Sequence, residues 1–250
     1  MRLAKLALPP LILALSATAG CDSGKKTRTA ASAKPTAESV PTEPAKPKGP
    51  PQFVVNSVGA KVGFSLIVLD KPDGPGRLDT ELAENKSYID GKDVLVKADR
   101  KSKMKSVIMM LSALAKDGAK TVTIKTETRE EYQDRTKFTP QSEITDPAPC
   151  SVVAMVLDDR SSAVWHLSGT TAIRHAKGLA GPDLSMTGDV IERLAKSCKK
   201  SSTIFVAAAD NIEWGLAYDL AASTQKIKKV KFDHVVLLQQ TPTAGRKVEL

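Results

Sequence analysis

The sequence predicts an α/β protein made of two related domains, and three observations carry that expectation. A hydrophobic strand that runs into Ala-Asp, then a helix, then a strand occurs twice. The two strand–Asp junctions are Val94-Leu95-Val96-Lys97-Ala98-Asp99 and Ile204-Phe205-Val206-Ala207-Ala208-Ala209-Asp210, with the two aspartates 111 residues apart. The helices that follow are similar in length, from about Lys103 to Lys116 and from about Glu213 to Gln225. A polar stretch with Pro140, Pro147 and Pro149 separates the copies. Repetition of a unit at a fixed distance outweighs any single element in deciding a fold.

The first domain begins where the composition changes at Phe53. Val62 to Leu69 alternates Phe64, Leu66 and Val68 with Gly63, Ser65 and Ile67, and predicts one strand. Asp73-Gly74-Pro75-Gly76 predicts a turn, with a short helix from about Asp79 to Lys86. Val94 to Ala98 is the next strand. The helix after it places Val107, Met110, Leu111 and Leu114 on one face, with Gly118 positioned to close it. Val122 to Thr126 is a strand, and 128–149 reads as a linker. In the second domain, Val152 to Leu157 and Val164 to Leu167 flank Asp158-Asp159-Arg160-Ser161-Ser162 as a hairpin. Residues 178–182 are loop. Leu184 to Ser197 suits a helix with Val190, Ile191 and Leu194 inward and Ser185 as its cap. Ile204 to Ala208 and Val235 to Leu238 are strands on either side of the last helix. The domains therefore span 53–128 and 150–250.

What precedes Phe53 reads as targeting and spacing. Arg2 and Lys5 give a positive start, and Leu6 to Ala19 is apolar apart from Ser16 and Thr18. That run is too short to span a bilayer comfortably, and Pro9 and Pro10 interrupt it. Residues 21–52 are rich in Ala, Pro, Lys, Thr and Ser and hold few side chains to bury, which predicts an extended or disordered linker. The formal charge is +9. With two positive charges on the leader and a net three on the linker, +4 of that +9 remains on the folded part. The basic balance is thus partly a tail effect. Nucleic acid is not an expected partner of an exported chain; anionic headgroups or an acidic cell wall suit the linker better.

Thr18-Ala19-Gly20-Cys21 resembles the lipobox of bacterial lipoproteins, with Thr18 where that motif prefers Leu. The resemblance implies a signal peptide over 1–20, cleavage before Cys21, and acyl chains on its sulfur. The chain would then be an envelope lipoprotein facing the periplasm, its membrane contact made through lipidated Cys21. Inner and outer membrane stay open, although Asp22 resembles an inner-membrane retention signal. The other reading is an ordinary secretory signal with Cys21 incidental. In an oxidising compartment Cys150 and Cys198 form a possible disulfide; the alternative is two separate buried thiols.

The second half is similar to the periplasmic domain of the ExbD/TolR biopolymer-transport family, on the strand Thr203–Asp210, the helix from Trp214 and the strand Val235–Leu238. Val94–Asp99, Met104–Leu114 and Val122–Ile124 repeat the pattern. The resemblance implies a two-layer α+β form, a small sheet with helices on one face, in two copies that pair within the chain. It also implies an accessory role: binding a protein of ExbB/TolQ-type machinery or its clients, or peptidoglycan. The family's motor subunits carry an acidic residue in an N-terminal membrane helix. The apolar leader here has no Asp or Glu, so proton-driven work does not carry over.

Little in the chain points to catalysis. His166 and His175 are nine apart and His234 is distant, so no metal-ligand spacing is present. No phosphate-binding glycine loop or nucleophile elbow occurs. Asp99 and Asp210 could form a carboxylate pair, but helix capping explains them more simply. The expectation is a non-enzymatic protein without cofactor or metal; the alternative is an exported enzyme whose site is assembled from scattered residues. The candidate interaction surface is Trp214 and Tyr218, four apart on one helix and facing core or a partner rather than a ligand, with the cluster Lys226, Lys228, Lys229 and Lys231, for which a solvated face is the default.

Overall fold

The computed structural model describes residues 49–199 and 201–250. Residues 48–250 form one compact unit. It is a mixed α/β structure with two sheet-based halves.

The first half runs β1 (Phe53–Val55), β2 (Ala60–Val62), β3 (Ser65–Ile67), α1 (Gly74–Glu84), β4 (Asp93–Ala98), α2 (Met104–Lys116), β5 (Thr121–Lys125) and β6 (Arg135–Phe138). The second runs β7 (Val152–Val156), β8 (Ser162–His166), β9 (Ile173–His175), β10 (Lys177–Gly178), β11 (Gly181–Pro182), α3 (Leu184–Ser197), β12 (Thr203–Ala208), α4 (Trp214–Thr224) and β13 (His234–Leu237).

The sheets have the orders β3-β2-β1-β4-β5-β6 and β13-β12-β7-β8-β9. Read from the other end, the second is β9-β8-β7-β12-β13, which is the first without its last strand. Directions agree as well. β1 is antiparallel to β2 and parallel to β4, as β7 is to β8 and β12. β4–β5 and β12–β13 are both parallel. A parallel neighbour needs a crossover, and α2 and α4 supply it at the same place in each copy. β4 and β12 start 110 residues apart, and so do α2 and α4.

That spacing corrects the pairing of Asp99 with Asp210. The Asp99 amide donates to Val55 O as the Ala209 amide donates to Val156 O, each at 2.9 Å, so Asp99 matches Ala209 and Asp210 matches Arg100. Neither aspartate caps a helix. The N-cap positions are Lys103 and Glu213, and neither side chain makes a capping bond. Ser185 is not a cap either; the Asp183 side chain accepts from the Met186 amide at 3.1 Å.

Turn chemistry explains most other differences. Val62 to Leu69 is not one strand but the hairpin β2–β3, turning at Gly63-Phe64. Gly63 has φ +59°, the left-handed geometry that a two-residue hairpin turn needs at its first position. Asp73-Gly74-Pro75-Gly76 is the start of α1, because proline is tolerated in a first turn where its missing N–H would go unbonded anyway. Residues 178–182 include the small pair β10–β11. The linker 128–149 contains β6, antiparallel to β5, and a 3₁₀ turn at Gln141–Glu143. Directly after β6 the Thr139 amide donates to Val235 O of β13 at 2.9 Å, so this segment ties the two sheets together.

In α2, Met104, Val107, Met110 and Leu114 are buried at three- and four-residue spacing; the chain then leaves through Gly118 at φ +88°. α4 differs. Ten of its eleven residues are buried, which marks a helix packed on all sides. Among the described residues no helix is long and apolar enough to cross a membrane.

Candidate functional site

Among the described residues the one buried charged side chain of the interior lies on α4, where it meets the first half. Asp219 is only 1% exposed, yet it carries a carboxylate. Arg100 donates to both its oxygens, Nη1 to Oδ1 and Nη2 to Oδ2, each at 2.8 Å. The Thr128 hydroxyl donates to Oδ1 at 2.7 Å, and Arg129 Nε lies 3.6 Å from Oδ2. Arg100 also donates to Glu127 O, and Arg129 to Ala180 O. A buried carboxylate needs such company, because removal from water costs several kcal/mol that only close opposite charge and full hydrogen bonding repay. The carboxylate holds the Arg100 guanidinium above its already high ordinary pKa.

Gly215 makes room for this clamp. A Cβ there would stand 2.9 Å from Arg100 Cβ and 3.0 Å from its Nε, so only glycine lets the arginine pass over the helix. The backbone closes the same seam. Trp214 N donates to Ser102 O at 2.9 Å and Gly215 N to Arg100 O at 2.8 Å. The unpaired amides at the start of α4 are therefore satisfied by carbonyls of the matching loop in the other half.

Trp214 and Tyr218, expected on an interaction surface, are fully buried in this seam. Their rings meet at 5.7 Å, and Phe138 of β6 lies 6.0 Å from Trp214. Trp214 Nε1 donates to the Thr126 hydroxyl and the Tyr218 hydroxyl to Gln133 O. Burial pushes the Tyr218 hydroxyl up to about 12. They are withdrawn from the surface because the partner they face is the other half of the same chain. The oxygens of Asp219 point at protein donors, so this cluster clamps the two halves together.

The lysines divide. Lys228 and Lys231 border an open groove of about 410 Å³ with Ile227, Val230 and Phe232. Lys226 lies over the Tyr132 ring at 4.7 Å, and Lys229 is 3.6 Å from Glu192. Lys231 also pairs with Asp233 at 3.4 Å. Of the expected surface, then, the groove unites two lysines with apolar side chains, while the other two rest on neighbours.

Cys150 and Cys198 are bonded across a Cα–Cα distance of 5.4 Å, joining the segment before β7 to the end of α3. Closing a loop of 48 residues restricts the unfolded chain by about 4 kcal/mol on the loop-entropy argument. Cys21 lies outside the described residues. His166 Nδ1 is 2.8 Å from Cys150 O, and His234 Nδ1 is 3.1 Å from the Thr139 hydroxyl. Asp210 accepts from the Thr241 hydroxyl at 2.6 Å and has no carboxylate partner among the described residues.

Sequence reasoning missed Arg100, Thr128, Arg129 and Asp219. One signal was available: Asp219 follows Tyr218 in a stretch otherwise of Trp, Gly, Leu and Ala, where a charge on a fully buried helix demands a partner. Comparison with known protein families, with curated proteins and with solved structures returned no match.

Proposed function

We propose that this chain is a non-enzymatic binding component of the cell envelope, built from two ExbD/TolR-like repeats in one polypeptide and tethered through a lipid on Cys21. The observation that carries the reading is the shared strand order, β3-β2-β1-β4-β5 and β9-β8-β7-β12-β13, with crossover helices at matching places. Two copies joined by a clamp at Asp219 form a preformed pair, where separate chains would have to find each other. The covalent link holds each copy at about millimolar effective concentration for the other. The apolar leader carries no acid, so any energy coupling comes from a partner. That partner is a protein of ExbB/TolQ-type machinery or its clients, or peptidoglycan, and the groove at Lys228, Lys231 and Phe232 is where we place it.

The test uses intact cells and purified sacculi. A photo-crosslinking residue at Phe232 is expected to capture an envelope protein of that machinery, or residues 48–250 to sediment with sacculi, with Lys228→Glu weakening either. Absence of both interactions, or an activity toward envelope substrates that survives Lys228→Glu, would falsify the binding role. Cys21→Ser is expected to release the chain from membranes.

A further inference from the structure

Among the described residues the first sheet carries helices on one face only. β4 shows it directly: Val94, Val96 and Ala98 are buried, whereas Asp93, Leu95 and Lys97 are exposed. Across that open face the strand registers align one row, Leu66–Lys61–Val54–Lys97–Lys125–Arg135, through all six strands. At the usual spacing of neighbouring strands the row is roughly 24 Å long. Lys97, Lys125 and Arg135 are direct cross-strand neighbours. Like charges placed so repel and weaken a sheet, so stability does not account for them. Within the strands the face holds five cations, Lys61, Lys97, Lys125, Arg135 and Lys137, and one carboxylate. That carboxylate, Asp93, already accepts from the Thr121 hydroxyl. Asp134, just before β6, lies 3.3 Å from Lys125. Among the described residues Lys61, Lys97 and Arg135 have no carboxylate within ion-pair distance.

Large apolar side chains share the face. Phe64, at the hairpin tip, is 76% exposed with Lys61 Nζ 5.8 Å from its ring centre; Leu66 is 48% and Leu95 43% exposed. The second half treats the same row differently. The residues that match Leu66, Lys61, Val54 and Lys97 are Arg174, Ala163, Met155 and Ala207, and the last three are buried. There the C-terminal segment closes the sheet over: Trp165 Nε1 donates to Arg246 O, Val248 N donates to Leu167 O, and Val248 is buried. Of two copies of one face, one is covered by the chain itself and the other is charged and, among the described residues, bare.

We propose that the open face of the first half docks on an anionic phospholipid bilayer, its cation row against the headgroups and Phe64, Leu66 and Leu95 in the interfacial layer. Charge complementarity gives the sign of the partner. The exposed apolar side chains among the cations select a bilayer over a soluble polyanion. A polyanion would leave Phe64 and Leu95 in water, whereas the interface of a membrane takes aromatic and aliphatic groups beside Lys and Arg. The inference goes beyond the envelope-binding role and does not depend on it, since it concerns a different half and a different ligand.

Residues 48–250, which lack any lipid site at Cys21, are mixed with phosphatidylcholine vesicles that contain or omit phosphatidylglycerol. Binding is expected only with the anionic lipid, and is lost in high salt. The double variant Lys97→Glu/Lys125→Glu is expected to weaken binding on the order of a hundredfold or more. Phe64→Ala is expected to weaken it by roughly tenfold. The double variant Lys228→Glu/Lys231→Glu makes the same change of net charge elsewhere, and is expected to leave vesicle binding unchanged within about twofold. Thermal melts of each variant confirm folding. Equal loss with the two double variants, retention on sacculi or a soluble polyanion but not on vesicles, or no vesicle binding at all would each overturn the proposal. Sacculus binding without vesicle binding, or vesicle binding without sacculus binding, separates this inference from the proposed envelope role.

Discussion

Lys97 and Ala207 occupy the same position in two copies of one sheet, and their surroundings could hardly differ more. Around Lys97 the strand alternates between a buried and a solvated face. Around Ala207 the strand Ile204-Phe205-Val206-Ala207-Ala208 is buried throughout. Alternation is the mark of a sheet with one covered face, and an unbroken apolar run the mark of a sheet covered twice. The same backbone layout thus tolerates opposite chemistry at one site, because what decides is the layer outside the sheet. In the second half that layer comes from the C-terminal segment. The first half has no such layer among the described residues.

The strongest way to break this comparison is to exchange the residues. Ala207→Lys would force an ammonium into a site that is 2% exposed and is expected to cost more than about 4 kcal/mol, enough to prevent stable folding. Lys97→Ala is expected to shift stability by less than about 0.5 kcal/mol. Urea unfolding of both variants checks this, and similar losses at the two positions would show that the faces are not distinct.

The next test concerns the helices. Asp219 in α4 stands where α2 has Met109, by the same spacing of 110 residues. Asp219→Ala would leave Arg100 and Arg129 without their shared carboxylate, and is expected to cost about 3–5 kcal/mol. Met109, only half-buried on α2, is expected to lose far less on change to Ala. The measurement is again an unfolding midpoint. A small effect of Asp219→Ala would remove the clamp as the element that joins the halves.

The smallest effect sharpens the view of the seam. Tyr218 has its hydroxyl raised to about 12 by burial, against 10.0 for the free side chain. The fold therefore favours the neutral phenol. That stabilisation is fully present below pH 10 and is lost as pH rises through the folded value. About 1 kcal/mol is expected to go between pH 9 and pH 11. Tyr218→Phe is expected to show less loss over that range, as read from denaturant curves at each pH.

Much of the architecture was legible in the sequence, for identifiable reasons. α2 and α3 were placed to within a residue because their apolar side chains recur at helical spacing. β4 and β12 were visible as short β-branched runs that end at small residues. The hairpin β2–β3 was hidden, because Gly63 sits in a stretch whose alternation continues on either side of the turn. β6 was hidden because Arg135-Thr136-Lys137-Phe138 buries only Thr136 and Phe138, and the prolines nearby read as linker. Trp214 and Tyr218 were singled out as facing core or a partner, and both lie in the core. Their spacing says that they share a helix face, but nothing local says that the facing layer is another part of the same chain. The partners of Asp219 were hidden for the same reason: Arg100 and Asp219 are 119 residues apart.

The start of α4 also gives the chain a direction in time. Its first amides are answered by carbonyls of Ser102 and Arg100, and its carboxylate by side chains from 100–129, all of them earlier in sequence. A polypeptide made from its N-terminus has this cradle ready before the helix that needs it has emerged. The first half can therefore close around α1 and α2 while the second is still incomplete. The reverse order would leave α4, the most deeply enclosed helix of the fold, waiting with an uncompensated aspartate and unanswered amides.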